Sequence, residues 1–403
     1  MYDSERIVPL MADVVFVLVL NAGSSSLKFN LFDMSREASI AEGVAERLGL
    51  EEAILECTLA GEKRRETLPL PTHREALEAI LERLQAAVLH DTPIHAVGHR
   101  VVHGGPKYGD SVLVTEEVVR DIETFAIYAP LHNPANALGI RTAIEAFPDV
   151  PHVAVFDTAF HHDIPDFARI YGIPYELSQK YGIRRYGCHG TSHAYVAART
   201  AILLCRPLRA LKLISCHIGN GTSICAVLNG KSMDTSMGMT PLQGVIMGTR
   251  CGTIDPAVVE LLMEREHLDY QGITHLLNKK SGLLGISGVS SDFREIELAA
   301  EQGNDRARLA RDLLTYNVRQ FIGSYATVLD GVDAIAFTAG IGTHSAFVRA
   351  KVCSKLTFLG VRLDPEANEQ GRGERIISTP DSRVVVTVVP TNEELMIARE
   401  VVR

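Results

Sequence analysis

Two arginines, Arg100 and Arg250, occupy positions from which a side chain could bind an anionic ligand. Arg100 follows an apolar run, and Arg250 lies in a Gly-Thr-Arg-Cys-Gly turn, where glycine lets a ligand approach the backbone. A guanidinium binds carboxylates and phosphates through a planar fork of N–H donors. For Arg100 the residues alone favour a surface arginine in an ordinary ion pair. Both positions are therefore candidates for anion binding that the residues alone do not establish.

A histidine and an aspartate also occupy positions suited to chemistry. His189 lies in Gly-Cys-His-Gly-Thr-Ser-His, ahead of an amphipathic segment, and Asp157 ends the apolar run VAVFD. Catalytic groups gather at the carboxyl ends of strands in open α/β sheets. His189 could equally be a core histidine, and Asp157 could cap a turn. Three further histidines lack the third ligand that a zinc site needs: His161, His162 and His193.

Bends rich in Gly, Ser and Thr interrupt the apolar runs. The first, Asn21-Ala22-Gly23 and three serines, precedes a run that carries Lys28, and the second is HIGNGTS at 217–223. Such bends expose backbone N–H groups beside hydroxyls, which suits phosphate, although the same residues form ordinary turns. A third glycine loop, FTAGIGTHS at 337–345, favours the phosphate interpretation. Neither a P-loop nor a GxGxxG motif after a strand is present.

Alternating strands and helices must position these residues. Apolar, strand-like runs occupy residues 14–21, 27–33, 95–102, 153–157, 212–216, 223–228, 334–338 and 384–389. Amphipathic helical segments occupy residues 74–89, 115–128, 194–205, 305–329 and 393–402. The alternation predicts an α/β fold, and the two similar bends predict an internal duplication. We expect a short N-terminal extension at 1–13, a first lobe at 14–160 that includes the C-terminal helix 393–403, and a second lobe at 161–392.

The composition is that of an ordinary globular protein. The 403 residues are 46% hydrophobic and 22% charged, and two domains are expected at this length. A net charge of −9 argues against a general nucleic-acid binder, and no apolar run approaches the roughly 18 residues of a membrane span. Seven scattered cysteines without a CxxC pair predict buried thiols in a reducing, cytoplasmic setting.

From residue 14 onward, ten motifs in order resemble the acetate kinase family. They are NAGSSSLKF, HRVVHGG (99–105), PLHNP (130–134), FDTAFH (156–161), RRYGCHGTSH (184–193), HIGNG (217–221), DTSMGMTPLQGVIMGTRCGTIDP (234–256), SGLLGISGVSSDFRE (281–295), TAGIG (338–342) and PTNEEL (390–395). The resemblance implies a two-lobed, duplicated RNase H-like fold of the actin-like ATPases, with the active site in the interlobe cleft. It also implies a cytoplasmic homodimer that uses ATP or ADP with Mg²⁺, or Mn²⁺ instead.

The same resemblance implies reversible, direct in-line transfer of the ATP γ-phosphoryl group to acetate. Propionate or butyrate kinase is the alternative within the family. A sugar kinase of the superfamily would need an acceptor hydroxyl and an aspartate to take its proton. A different class, an actin- or Hsc70-like module gated by ATP, would phosphorylate no acceptor.

The resemblance assigns roles to individual residues. Arg100 would hold the substrate carboxylate, Arg250 and His189 the transferring phosphoryl group, Asp157 the substrate and metal, and His132 a supporting position. Metal-linked roles fall to Asn21 and Glu393. The acyl pocket would comprise Arg100, Val102, Leu131, Cys188 and Pro241. Nucleotide-binding roles fall to Lys28, His217, Ile218, Gly219, Asn220, Gly221, Asp292, Phe293, Arg294, Gly340, Ile341, Gly342, Thr343 and His344.

The chain departs from the family pattern at several of these places. Thr343 and His344 replace the usual Glu-Asn after Gly-Ile-Gly, which leaves the preference for ATP open. Thr253 replaces an aspartate near Arg250. Cys188 stands where many relatives carry Phe, so the acyl pocket has extra room. A methylene changes discrimination by only about 1–3 kcal/mol, so acetate and propionate both remain candidate substrates.

Overall fold

The computed structural model describes residues 16–89 and 93–403, which form two compact α/β units. One unit comprises the described residues up to His162 together with Asn392–Arg403, and the other comprises Asp163–Thr391. The sequence places its lobe boundaries at 160–161 and 392–393, close to these divisions. The N-terminal extension proposed for residues 1–13, and the first two residues of the strand predicted at 14–21, lie outside the described residues.

The first unit is built on an eight-stranded mixed sheet. Its strands are β1 (Phe16–Gly23), β2 (Ser26–Asp33), β3 (Ala38–Glu46), β4 (Ala53–Leu59), β5 (Glu62–Leu68), β6 (Ala96–Val101), β7 (Val112–Leu113) and β8 (His152–Phe156). They lie in the order β5-β4-β3-β2-β1-β6-β8-β7. The helices of this unit are α1 (His73–Leu84), α2 (Glu116–Thr124), α3 (Asn133–Ala146) and, from the C-terminus, α15 (Glu393–Val402).

The second unit is built on a six-stranded mixed sheet. Its strands are β9 (Lys212–Ile218), β10 (Thr222–Leu228), β11 (Lys231–Thr235), β12 (Ala334–Thr338), β13 (Arg375–Ile376) and β14 (Val385–Val388). They lie in the order β11-β10-β9-β12-β14-β13. The helices are α4 (Asp166–Arg169), α5 (Tyr175–Tyr181), α6 (Gly190–Leu203), α7 (Pro256–Arg265), α8 (Tyr270–His275), α9 (Gly282–Ser287), α10 (Phe293–Glu301), α11 (Asp305–Val328), α12 (Ala339–His344), α13 (Ala346–Cys353) and α14 (Pro365–Glu369).

The two sheets share one strand arrangement. In the first, β1 pairs antiparallel with β2 and parallel with β6, and β6 pairs parallel with β8. In the second, β9 pairs antiparallel with β10 and parallel with β12, and β12 pairs parallel with β14. The predicted duplication is therefore visible in the topology. Parallel neighbours end at the same edge of a sheet, so the residues after β1, β6 and β8 lie together, as do those after β9 and β12.

Helix α15 completes the first unit by packing on the centre of its sheet. Leu395, Ile397 and Val401 are buried, and the helix contacts β6, β1 and β8. Gly98 of β6 makes room for it, since a Cβ there would lie 2.8 Å from Val401 Cγ2 and 2.9 Å from Ile397 Cγ2. The side chain of Asn392 caps the helix by accepting a hydrogen bond from the Leu395 amide at 2.9 Å.

The cysteine prediction is correct for most thiols and wrong for two. Five cysteines are buried as expected, whereas Cys205 is exposed and Cys251 is half-buried. Cys205 lies just beyond the end of α6 with a φ of 50°, a turn position at the surface. None of the seven cysteines, all of which lie in the described residues, forms a disulfide. None of the described helices combines the length and apolarity that a bilayer-spanning segment requires.

Candidate active site

In the first unit, the candidate substrate arginine is held by a buried aspartate. Arg100 lies one residue before the end of β6 and Asp157 follows β8, and these parallel strands bring the two side chains together. Arg100 Nε donates to Asp157 Oδ1 at 3.1 Å, and its Nη2 donates to Asp157 Oδ2 at 2.7 Å. Asp157 is 1% exposed. Among the described residues, Nη1 of Arg100 has no hydrogen-bond partner, so this nitrogen remains for a ligand.

Two glutamates of the first turn of α15 stand beside this pair. Glu393 Oε2 lies 3.9 Å from Arg100 Nη2, and Glu394 Oε1 accepts from Lys28 Nζ at 3.0 Å. Burial, together with the charges of Asp157 and Glu394, raises the pKa of Glu393 to about 7 despite the attraction of Arg100. Burial acts most strongly against the charge of Glu394, but the charge and hydrogen bond of Lys28, a backbone hydrogen bond and the charge of Arg100 together lower the pKa of that carboxyl.

Burial and the neighbouring carboxylates also shift the pKa of Arg100. Burial alone would lower the pKa of its guanidinium, but the carboxylates of Asp157 and Glu393 raise it above its ordinary value. Arg100 is therefore a permanent cation in a pocket where acidic groups outnumber basic ones. Asn21 of β1 lies opposite Lys28 of β2 in the hairpin register, so both side chains are on one face of the sheet.

Helix α3 fixes the neighbouring backbone. Asn136 donates to the Ala22 carbonyl at 2.8 Å and accepts from the Val102 amide at 3.1 Å, which ties the ends of β1 and β6 together. His132 is the residue immediately before α3, with φ −127° and ψ −54°. Leu131 is 52% exposed, whereas Val102 is buried. No local pattern in the sequence marks Asn136 for this positioning role.

In the second unit, three histidines and three serines form one network. His189 Nδ1 and His193 Nε2 both lie 2.8 Å from Ser223 Oγ. The His189 ring stacks on His217 with centroids 4.0 Å apart. Two more serines complete the set, with Ser192 Oγ 2.8 Å from His217 Nδ1 and Ser215 Oγ 2.9 Å from His193 Nδ1. His193 therefore orients His189 through Ser223, a positioning role that the sequence interpretation did not anticipate.

Arg250 and His189 approach the same glycine. A Cβ on Gly221 would lie 3.2 Å from His189 Nε2 and 3.7 Å from Arg250 Nη1. Arg250 Nη1 donates to the Pro241 carbonyl at 3.1 Å, and no acidic side chain of the described residues forms an ion pair with Arg250. Burial lowers the pKa of this guanidinium. An imidazole and an uncompensated cation thus meet beside the glycine bend of β9–β10.

A cavity of about 830 Å³ lies in the second unit. It contains most of the predicted nucleotide-binding residues, together with three that the sequence interpretation omitted, Ser291, Glu297 and Ser345. The predicted members are Gly219, Asn220, Asp292, Phe293, Arg294, Gly340, Ile341 and His344. Its volume is within the usual range for small-molecule sites. At the junction of β12 and α12, Ala339 adopts a φ of 62°, a strained conformation typical of functional sites.

Some predicted residues lie away from this cavity. His217 is 7% exposed behind His189, and Ile218 is fully buried, so neither lines it. Gly342 is buried, and Thr343 lines a neighbouring cavity. Among the predicted acyl-pocket residues, Val102 and Leu131 belong to the first unit. Cys188 and Pro241 belong to the second unit, where Cys188 packs with Met237 and Met247.

The chain is similar to known proteins along nearly its whole length. A model of the acetokinase family matches residues 16–399. The acetate kinase of Geobacillus kaustophilus is 54% identical over 389 residues, which cover 96% of this chain and 98% of that protein. The crystal structure of Porphyromonas gingivalis acetate kinase superposes with a TM-score of 0.91 at 46% identity, and covers 96% of this chain and 98% of its own.

A structure described as a propionate kinase is equally similar in fold. The protein from Francisella tularensis superposes with a TM-score of 0.91 at 41% identity, and the match covers 96% of this chain and 98% of that one. The family model covers nearly the whole chain, and the relatives match it from end to end. The chain therefore belongs to the acetokinase family.

Proposed function

We propose that this protein is an acetate kinase, which reversibly transfers the γ-phosphoryl group of ATP to acetate and forms acetyl phosphate and ADP. The observation that carries the proposal is the pairing of Arg250 with His189 beside Gly221, in the unit that also holds the 830 Å³ cavity. A half-buried cation without an acidic partner is suited to an anionic group in transfer. The close relatives named as acetate kinases support the same activity.

The acceptor needs no general base. A carboxylic acid with a pKa near that of a side-chain carboxyl is already ionised at pH 7, so its oxygen can attack phosphorus directly. The difficulty is repulsion between two anions, and cationic groups relieve it. We assign Arg250 and His189 to the phosphoryl oxygens and Arg100 to the acetate carboxylate. These groups act by electrostatic stabilisation and alignment.

Asp157 orients Arg100 in this scheme. Both oxygens of Asp157 already accept hydrogen bonds from Nε and Nη2, which fixes the plane of the guanidinium. Nη1 then presents its two protons to the substrate. The role given to Asp157 is therefore to hold the fork, without accepting a proton during the reaction.

The residues of the first unit fit a hard divalent cation. Glu393 is a carboxylate whose burial and acidic neighbours disfavour its charge, so a cation beside it would be stabilising. The described residues contain no cluster of three or more acidic, histidine or cysteine ligands. Mg²⁺ keeps several waters and needs few protein oxygens, so Glu393 and Asn21 are sufficient as its contacts. When bound, Mg²⁺ supplies charge neutralisation for the phosphate oxygens.

We extend the proposal to a cytoplasmic homodimer. Several large apolar side chains of residues 166–181 are exposed, among them Phe167 at 90%, Tyr175 at 60% and Tyr181 at 54%. Clustered apolar side chains at a surface favour a protein partner. Light scattering on the purified protein tests this, since a dimer has twice the chain mass of 44.0 kDa.

The activity is tested by trapping acyl phosphate with hydroxylamine in the presence of ATP and Mg²⁺. Acetate, propionate and butyrate are compared by kcat/KM, and acetate is expected to give the highest value. Propionate as the best substrate would favour the alternative, to which the Francisella tularensis structure also points. ATP hydrolysis that no carboxylate affects would instead indicate a nucleotide-gated module and overturn the proposal.

A further inference from the structure

A second cavity, of about 590 Å³, adjoins the first in the second unit. It shares Gly340 and His344 of α12 with the 830 Å³ cavity, and its lining also includes Arg372, Arg375 and Thr391. Arg372 and Arg375 lie outside the ten family motifs, and Thr391, although part of PTNEEL, has no role assigned above. The chemistry of this cavity is therefore not explained by the proposed function.

The lining of this cavity is cationic because Glu374, the acidic residue of the loop that carries both arginines, is already paired with another residue. The loop reads Gly-Arg-Gly-Glu-Arg at 371–375. Glu374 accepts two hydrogen bonds from Arg199, at 2.7 and 2.8 Å. Within residues 16–89 and 93–403, Arg375 donates only to backbone carbonyls, those of Ala367 at 3.3 Å and Gly373 at 3.2 Å. Arg372 is exposed and makes no ion pair with the described residues. Two guanidinium groups thus face the cavity without a carboxylate.

A third arginine strengthens the positive potential. Arg349 is 1% exposed and donates to the Gly342 carbonyl at 2.9 Å and the Thr343 carbonyl at 2.8 Å. Its remaining partner is Asn368, at 2.8 Å from Nε to Oδ1. Burial, and then repulsion from Arg375, lowers the pKa of Arg349 to about 10. The two arginines are therefore close enough to repel, which an anion between or beside them would relieve.

The backbone and one hydroxyl are also suited to an oxyanion. Gly371 and Gly373 have φ values of 99° and 72°, so the turn around Arg372 needs glycine and carries no side chain that would block a ligand. Thr391 Oγ1 is buried and has no hydrogen-bond partner among the described residues. A buried hydroxyl without a partner is unfavourable unless a ligand or water satisfies it.

We propose that the cavity formed by Arg372, Arg375 and Thr391 binds the phosphate groups of a small anion. Arginine forks and glycine-rich backbone both recognise phosphate oxygens. The volume admits a small molecule and excludes a folded partner. The phosphates belong either to a separate anion or to an extended nucleotide that crosses α12 from the 830 Å³ cavity. The inference does not depend on the proposed function, since its test is binding without turnover.

Isothermal titration of the full chain with inorganic pyrophosphate tests the site. The wild type is compared with Arg372→Gln and with Arg372→Gln/Arg375→Gln, each with and without saturating ADP. The matched control is Arg209→Gln/Arg265→Gln, which removes the same charge at two exposed positions of the same unit. We expect the double variant to weaken binding at least tenfold, Arg372→Gln to weaken it less, and the control to bind like the wild type.

Arginine-dependent binding that persists in saturating ADP supports a separate anion. Arginine-dependent binding that ADP abolishes supports the cavity as the place of a nucleotide's own phosphates. The proposal is overturned if pyrophosphate does not bind, or if the double variant and the control bind it equally. Arg372 makes no hydrogen bond with the described residues, so Arg372→Gln is expected to fold and keeps the test decisive if the Arg375 change destabilises the protein.

Discussion

Arg100 and Arg250 are both partly buried cations, but among the described residues only Arg100 has an acidic side chain that compensates its charge. Asp157 compensates Arg100 in the free protein and sets its orientation. In the part of the chain that the structure describes, Arg250 hydrogen-bonds only to the Pro241 carbonyl and the Met247 sulfur, so no acidic side chain there compensates its charge. An uncompensated buried charge destabilises the free protein and is stabilised by a bound anion. Arg100 is therefore oriented for binding before the substrate arrives. Arg250 gains a compensating negative charge only when an anionic substrate binds.

Replacing Arg250 should abolish turnover without loss of the fold. We expect Arg250→Ala to lower kcat/KM by about 10³-fold or more, as for arginines that stabilise phosphoryl groups in other enzymes. The melting temperature should stay near or above that of the wild type, since no ion pair is lost. Arg209→Ala, an exposed arginine of the same unit, is the control. Near-normal turnover in Arg250→Ala would refute the mechanism.

Replacing Asp157 should lower activity without removing an ionisation from the pH profile. Asp157→Asn leaves Arg100 without its buried counter-charge, so both stability and kcat/KM should fall. Because the acceptor carboxylate needs no base, the dependence of kcat/KM on pH should keep every ionisation between pH 5.5 and 9. Only that of Glu393 should move to lower pH, because the charge of Asp157 no longer raises it. The control is Asp163→Asn, an exposed acid paired with Lys231. Selective loss of an ionisation from the profile of Asp157→Asn would show that Asp157 is a base.

Glu393 should make the stability of the free protein depend on pH. Its pKa is raised to about 7 by burial, so the folded protein binds this proton more tightly than the unfolded chain does. The resulting stabilisation is complete below the ordinary carboxyl pKa and is lost as pH rises through 7. Glu393→Gln cannot ionise and should gain in melting temperature relative to the wild type between pH 5 and pH 8.

Thermal unfolding without Mg²⁺ measures this difference. Glu366→Gln, at the exposed start of α14, is the control and should show the same pH dependence as the wild type. A difference between Glu393→Gln and wild type that stays constant from pH 5 to pH 8 would contradict the shift.

Motif residues could be predicted from the sequence, whereas their supporting contacts could not. The bends rich in Gly, Ser and Thr indicated phosphate binding because these residue types leave backbone N–H groups exposed beside hydroxyl groups. Glu394 was missed because its partner, Lys28, is 366 positions away, and nothing local marks the pair. His193 looked like an ordinary core histidine, and only the fold shows that it shares Ser223 with His189.

At the scale of elements, two helical glycines give a matched test of packing. A Cβ on Gly139 of α3 would lie 2.4 Å from Ala22 Cβ at the end of β1, whereas a Cβ on Gly323 of α11 would meet nothing within 4 Å. We expect Gly139→Ala to lower the free energy of unfolding by about 1–3 kcal/mol through overpacking. Gly323→Ala should raise it by about 0.5–1 kcal/mol through helix propensity. Chemical denaturation measures both, and equal effects would contradict the packing of α3 on β1.

The periodic pattern of apolar residues along the sequence predicted some strands and helices and missed others. Strand β12 is buried throughout, and its apolar run marked it clearly. Strand β5, EKRRETL, is an exposed edge strand whose charged side chains give no apolar signal. Helix α3 was missed because Asn, Pro and Gly, which are rare inside helices, recur along it. Its position depends on Asn136 bonding to two strand ends, a tertiary contact that no local pattern encodes.

At the scale of the whole molecule, helix α15 belongs to the first unit, although it follows the second unit in the sequence. Deletion of residues 393–403 should therefore destabilise the first unit and leave the second folded. Hydrogen exchange measured by mass spectrometry should show faster exchange in β1 and β6, on which α15 packs, and little change in β9 and β12. Equal acceleration in both sheets would mean that the units unfold together.

The return of α15 to the first sheet also affects how a nascent chain can fold. During synthesis, β6 is made long before α15, so Gly98 stays uncovered until α15 has been made. The 295 positions from Gly98 to Glu393 take on the order of tens of seconds to synthesise at about 5–20 residues per second. The centre of the first sheet is thus among the first parts to be made and is buried late. A cell that makes this enzyme would need to protect that exposed apolar sheet from aggregation until α15 is available.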